Sequence, residues 1–173
     1  FDPSVKCEKV RCTYDVVARD LQTGRDRVIY RTQATALGGA AVSPNGRDLA
    51  VVVTPDLNNG EGRLMIVPVS GGTAREVYHE LKEMGHPPLV WTRDGRHVLA
   101  FTRKGVFRSF PTNGGEPVES ALPDGILQYI RSAGASPSIS PDGRQIAFAG
   151  ETQAGQLWTL SGVLPDSKKA APR

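Results

Sequence analysis

The sequence predicts an all-β protein, a partial β-propeller of about three to four blades, each of four antiparallel strands. Three observations predict it. The stretch Ser140-Pro141-Asp142-Gly143-Arg144-Gln145-Ile146-Ala147-Phe148 recurs as Ser43-Pro44-Asn45-Gly46-Arg47-Asp48-Leu49-Ala50-Val51 and, more loosely, as Thr92-Arg93-Asp94-Gly95-Arg96-His97-Val98-Leu99-Ala100-Phe101. The turn glycines Gly46, Gly95 and Gly143 are 49 and 48 positions apart, and the pairs Gly71-Gly72 and Gly114-Gly115 are 43 apart. Between them lie short apolar, β-branched runs with no helical period. One twisted sheet of four strands cannot bury both its faces alone. Sheets stacked around an axis bury each other, with alternate residues of each strand facing the two neighbours.

The strands follow in order. Residues 1–13 are ambiguous, with Val5, Cys7 and Val10 compatible with a short strand. Tyr14 to Asp20 and Arg27 to Arg31 form a hairpin about Leu21-Gln22-Thr23-Gly24. The first repeat then supplies an inner strand ending at Ser43, a second from Asp48 to Thr54, a third from Arg63 to Val69 and a fourth from Arg75 to Tyr78. Pro44-Asn45-Gly46 is a tight turn: proline fixes φ, asparagine tolerates the left-handed region and glycine accepts it freely. The second repeat uses Leu89 to Thr92, His97 to Thr102, Val106 to Phe110 and Pro117 to Glu119. Residues 122–134 connect onward, with Ile126, Leu127, Tyr129 and Ile130 expected to pack inward. The third repeat runs through Ala149, with a further strand from Gln156 to Leu160. After Pro165 the polar residues 165–173 read as a disordered tail.

That makes thirteen strands, in groups of two, four, four and three. Supplying the absent outermost strand from residues 1–11 would close a four-bladed ring that still lacked two inner strands. The better expectation is the C-terminal half of a larger propeller of six to eight blades. Its end blades would then expose apolar faces, to be met by the remaining half or by a second copy of the chain. The start at Phe1 rather than Met fits a piece of something longer.

Composition narrows the function classes. The 21 basic and 18 acidic residues are dispersed along the chain. They form no basic patch with interleaved aromatics, so nucleic acid is not an expected partner. No apolar run approaches the ~18 residues of a membrane span, and no secretory signal is present. Cys7 and Cys12 lack the spacing of a redox or zinc pair; a disulfide and two reduced thiols both remain open.

No catalytic, cofactor or metal site is expected. His79, His86 and His97 lack the close spacing of a metal site. Asp56-Leu57-Asn58-Asn59-Gly60-Glu61 fits a calcium loop poorly and reads as a hairpin loop, although as a long polar loop it is a candidate contact surface. Ser43 and Ser140 precede proline in turns, outside any Gly-x-Ser-x-Gly elbow. Glu116, Glu119 and Asp124 are close in sequence without evidence of a pocket. Trp91 and Trp158 read as residues packed between blades. Asn45, Asp94 and Asp142 are expected to cap their own turns. Arg47, Arg96 and Arg144 each follow a turn glycine and are the candidate partner-binding residues. They would form an arginine row on one rim for a partner's carboxylates, against the alternative of salt bridges between blades.

Ser-Pro-Asp-Gly-Arg-x-Ile-Ala-Phe at 140–148, its variant with Asn45 at 43–51 and the looser copy with Thr92-Arg93 at 92–101 resemble the TolB-type, WD-like β-propeller repeat. The resemblance covers roughly residues 14–162, within an expected partial propeller at 14–164. It implies an innermost strand before each turn and the second strand after it. It also implies a non-catalytic scaffold for protein–protein recognition in a bacterial envelope or sensory and regulatory protein, periplasmic rather than cytoplasmic. The propeller portion of a prolyl-oligopeptidase-like serine hydrolase is the alternative, because such propellers serve many roles.

Overall fold

The computed structural model describes residues 6–8, 11–56, 61–81, 89–101, 106–121, 138–140, 145–150 and 156–161. The described strands fall into four antiparallel sheets, each a meander in chain order. The first holds β1 (Lys6–Glu8), β2 (Arg11–Arg19) and β3 (Asp26–Ala34). The second holds β4 (Ala36–Val42), β5 (Asp48–Asp56), β6 (Glu61–Pro68) and β7 (Arg75–Leu81). The third holds β8 (Leu89–Trp91), β9 (His97–Phe101), β10 (Val106–Pro111) and β11 (Val118–Ala121). The fourth holds β12 (Ser138–Ile139), β13 (Gln145–Gly150) and β14 (Gln156–Ser161). This is the predicted partial propeller. The connection at 122–137 and the tail at 165–173 lie outside the described residues.

The ambiguous N-terminal segment supplies a short strand, one of the readings that Val5, Cys7 and Val10 allowed. Lys6–Glu8 pairs with β2, Cys7 opposite Cys12, so it extends the first sheet rather than closing a ring onto the last one. The β-structure therefore starts before residue 14. Cys12 is disulfide-bonded, and the chain contains only one other cysteine, Cys7. A three-residue strand makes too few ladder bonds to hold alone, and the covalent link fixes it to β2.

The cores lie between sheets. On β5, Leu49, Val51 and Val53 pack with Ile29 and Ala34 of the first sheet, while Ala50 and Val52 turn the other way. There they meet Leu89, Trp91, Val98, Ala100 and Phe110 of the third sheet. A central strand buried on both faces must be apolar throughout, which explains the unbroken run Leu49 to Val53. Each fully buried Val or Leu contributes on the order of 1.5–3 kcal/mol.

Two bulges share one design. Ile29 is the extra residue between the Val16↔Tyr30 and Val17↔Val28 pairs, and Val77 the extra one between Leu64↔Tyr78 and Met65↔Glu76. Each lets two successive residues face the next sheet. Ile29 and Tyr30 join the first core, and Val77 and Tyr78 the second. Tyr78 reaches the Phe110 ring, centroids 5.0 Å apart.

One expectation fails on the described part of the first sheet, whose outward face is not apolar. It carries the ion pairs Arg31–Asp15 and Arg19–Asp26 around a single Val17–Val28 pair. Arg19 precedes Arg27 by eight residues, as Val67 precedes Arg75 and Phe110 precedes Val118. Val67 is 0% exposed and Phe110 1%. A guanidinium thus occupies, in the first sheet, the place where the next two bury a hydrophobe.

Candidate partner-binding rim

The repeated turns are built by side chains as well as glycine. Ser43 Oγ donates to Asn45 Oδ1 at 2.8 Å and accepts the Asp48 N–H at 2.9 Å, while Asn45 Oδ1 accepts the Arg47 N–H at 3.0 Å. Thr92 and Asp94 repeat this network. Thr92 Oγ1 donates to Asp94 Oδ1 at 2.7 Å and accepts the His97 N–H at 3.0 Å, and Asp94 Oδ1 accepts the Arg96 N–H at 3.0 Å. Threonine therefore substitutes for serine because only the hydroxyl is needed. In the fourth sheet, Ser140 Oγ accepts the Gln145 N–H at 3.0 Å. Gly46 and Gly95 adopt φ of 70° and 67°, the left-handed region that the turn requires.

These turns share a rim with the hairpin turns between the third and fourth strands. The Val69 N–H donates to the Arg47 carbonyl and the Thr112 N–H to the Arg96 carbonyl, both at 2.8 Å. Neighbouring sheets are tied along the same rim by arginines. Arg27 at the start of β3 donates to the Ser70 and Val69 carbonyls at 2.6 and 2.7 Å. Arg75 at the start of β7 donates in the same way to the Thr112 carbonyl. Sequence reasoning missed both ties. The available signal was position, since each arginine lies three residues after a turn glycine, Gly24 or Gly72.

The rim's carboxylates are largely committed. The Thr23 and Gln22 backbone N–H groups hold the Asp20 carboxyl below its ordinary range. The hydrogen bond from Arg19 does the same for Asp26, and Arg19 is raised in turn. For Asp94, burial pushes upward, but the Arg96 N–H, the Thr92 hydroxyl and the charges of His97 and Arg96 outweigh it, leaving the carboxyl lowered. Asp48, half-buried, and Glu116, exposed, carry no side-chain bond among the described residues.

The arginines divide cleanly. Arg19, Arg31, Arg63 and Arg108 pair with Asp26, Asp15, Glu76 and Glu119, and Arg27 and Arg75 tie sheets. Arg47 and Arg96 are exposed and make no side-chain hydrogen bond or ion pair among the described residues. Arg25 and Arg93, which sequence reasoning did not single out, are exposed on the same rim and equally unbonded through their side chains. Arg144 lies outside the described residues.

The other candidates resolve individually. Ser43 is buried and its hydroxyl is used in the turn. Glu119 is paired with Arg108, while Asp124 and Asp142 fall outside the described residues. His79 Nδ1 lies 3.9 Å from Glu76, and His86 is not among the described residues. No group of three metal-ligating side chains occurs among the described residues. Trp91 is packed between sheets; the side chain of Trp158 lies outside the description. Asp56 and Glu61 pair across the β5–β6 ladder, and the loop joining them is likewise outside.

No family model matches the chain, and no curated protein is matched by sequence. Solved structures do match. An oligogalacturonate lyase solved in complex with manganese aligns with TM-score 0.63 at 14% identity, over 92% of this chain and 46% of its own. A β-propeller domain from Myceliophteria thermophila aligns with TM-score 0.57 at 18% identity, over 96% and 49%. A prolyl endopeptidase aligns with TM-score 0.56 at 15% identity, over 92% and 29%. The chain therefore spans about half, or less, of each of these proteins. At such identities the likeness establishes a β-propeller fold; the three span lyase, peptidase and propeller-domain descriptions.

Proposed function

We propose that this chain is a non-catalytic β-propeller scaffold of the TolB type that recognises a protein partner through its turn rim. The observation that carries the reading is the equivalence of Arg47 and Arg96. They occupy the same turn position on adjacent sheets, exposed and without a side-chain bond among the described residues, whereas Arg19, Arg31, Arg63 and Arg108 are held in ion pairs and Arg27 and Arg75 in ties between sheets. Their backbones are fixed by the Asn45 and Asp94 side chains and by the Val69 and Thr112 N–H groups. Their cationic heads are thus presented from a rigid base, the arrangement suited to a partner's carboxylates. Arg144, in the third copy of the motif, extends the row in sequence.

An oxidising envelope compartment fits the disulfide at Cys12, because such links persist outside reducing cytosol. The reading requires no cofactor or metal.

The test is crosslinking capture from an envelope extract, comparing the native chain with the Arg47→Ala/Arg96→Ala double variant. A partner held by the native chain and lost by a folded double variant is the expected result. Equal capture by both, or capture of nothing, would sink the proposal. A hydrolase assay on a prolyl peptide should show no turnover.

A further inference from the structure

Beyond the Thr13–Gln33 pair, the outward face of the first sheet presents six described side chains in register. On β2 they are Asp15, Val17 and Arg19; directly opposite on β3 are Arg31, Val28 and Asp26. Tyr14, Val16 and Ala18, the intervening β2 residues, pack into the core toward the second sheet, so the six face away from it. The two ion pairs are doubly bonded: Arg31 donates to both Asp15 oxygens at 2.6 and 2.7 Å, and Arg19 to both Asp26 oxygens at 2.7 and 2.8 Å. Between them Val17 and Val28 remain 43% and 46% exposed.

The signs form a checkerboard around this apolar centre. Acid then base runs along β2, and acid opposes base across the ladder. Such a face is self-complementary. With a two-fold axis along the strands, Asp15 meets the copy's Arg31 and Arg19 meets its Asp26. With the axis across the strands, Asp15 meets Arg19 and Arg31 meets Asp26. Either way the valines meet valines, and each ion pair meets one of opposite order, closing a four-charge cluster. An apolar face laid here instead would strip water from both ion pairs and supply no further partner to either.

We propose that this face is an isologous dimer interface, occupied by a second copy of the chain. The pairing is independent of the rim arginines. The patch is small, so the dimer is a weak, salt-sensitive one.

Sedimentation velocity of the 173-residue chain over a concentration series tests it. The expected result is a monomer–dimer equilibrium weakened by added salt. Val17→Glu, at an exposed position, should keep the native circular dichroism spectrum and weaken dimerisation about tenfold or more, as a charge enters the apolar centre and meets either the copy's Val28 or its own image, according to the axis. The exchange Arg19→Asp with Asp26→Arg keeps an ion pair within the sheet but leaves acids along β2 and arginines along β3. It preserves the dimer if the axis runs along the strands and abolishes it if the axis runs across. A chain that stays monomeric throughout the series overturns the proposal. So does a dimer that both Val17→Glu and a second, separately made Val28→Glu leave unchanged, because its interface would then lie elsewhere.

Discussion

The indole N–H of Trp91 donates to the Ala41 carbonyl, 2.8 Å away on the neighbouring sheet. The bond joins two innermost strands, β8 and β4, at a place where both backbones are otherwise engaged only within their own sheets. Trp91→Phe removes this donor while keeping an aromatic ring, somewhat smaller, in the buried site. It should cost about 1–3 kcal/mol, whereas Trp91→Ala, which also opens a cavity, should cost about 3–5 kcal/mol. Urea unfolding midpoints distinguish them, and equal losses would assign the whole effect to the lost hydrogen bond rather than to packing.

At Gly95 an added Cβ would meet nothing within 4 Å, yet φ is +67°. Any penalty there comes from backbone conformation alone. Gly95→Val should destabilise by about 2 kcal/mol, and Gly95→Asn by much less, because asparagine visits the left-handed region. An unchanged melting temperature for the valine variant would contradict the turn geometry.

Arg27 and Arg75 tie different junctions. Arg27→Met and Arg75→Met should each cost about 0.5–1.5 kcal/mol, since the bonds are charge-assisted but exposed. Because they share no partner, the double variant should equal the two losses within about 0.5 kcal/mol. A much larger combined loss in chemical denaturation would mean that the ties act cooperatively.

Acid titration should locate the turn carboxylates. Asp20, Asp26 and Asp94 all have folded-state values below those of the unfolded chain, near 3.9. Their contribution is therefore complete above the unfolded value and is lost as pH falls through the lower, folded ones. The melting temperature should be flat from about pH 7 to 5 and decline below about pH 4. Asp20→Asn, which keeps an oxygen for the Gln22 and Thr23 N–H groups, should shallow that decline.

The parts of this molecule that could be read in advance are those whose partners are close in sequence. Asn45 and Asp94 cap turns only two residues away, and Leu49 to Val53 declares its own double burial. Thr92 was a departure from the serine pattern only by name, since its hydroxyl makes the same bonds. The ties of Arg27 and Arg75 were opaque because their acceptors are main-chain carbonyls on another sheet, which any residue could supply. For Lys6–Glu8 a short strand was among the open readings, but its bounds and partner were not legible: three residues carry no periodicity, and its pairing depends on β2. On the rim, Arg47 and Arg96 were legible from the motif, while Arg25 and Arg93 emerged only once the engaged arginines could be set aside. The polarity of the first sheet's outer face required knowing that Arg19 aligns with Val67 and Phe110.

The position held by Arg27 and Arg75 in the first two sheets is held by Val118 in the third, eight residues after Phe110 and 53% exposed. Valine has no donor with which to grip the following sheet. Among the described residues, the arc thus has clasps at its first two seams and none of that kind at its third. Under tension, or in slow amide exchange, the first three sheets should behave as one cooperative block, and the fourth should peel away as a separate, earlier event.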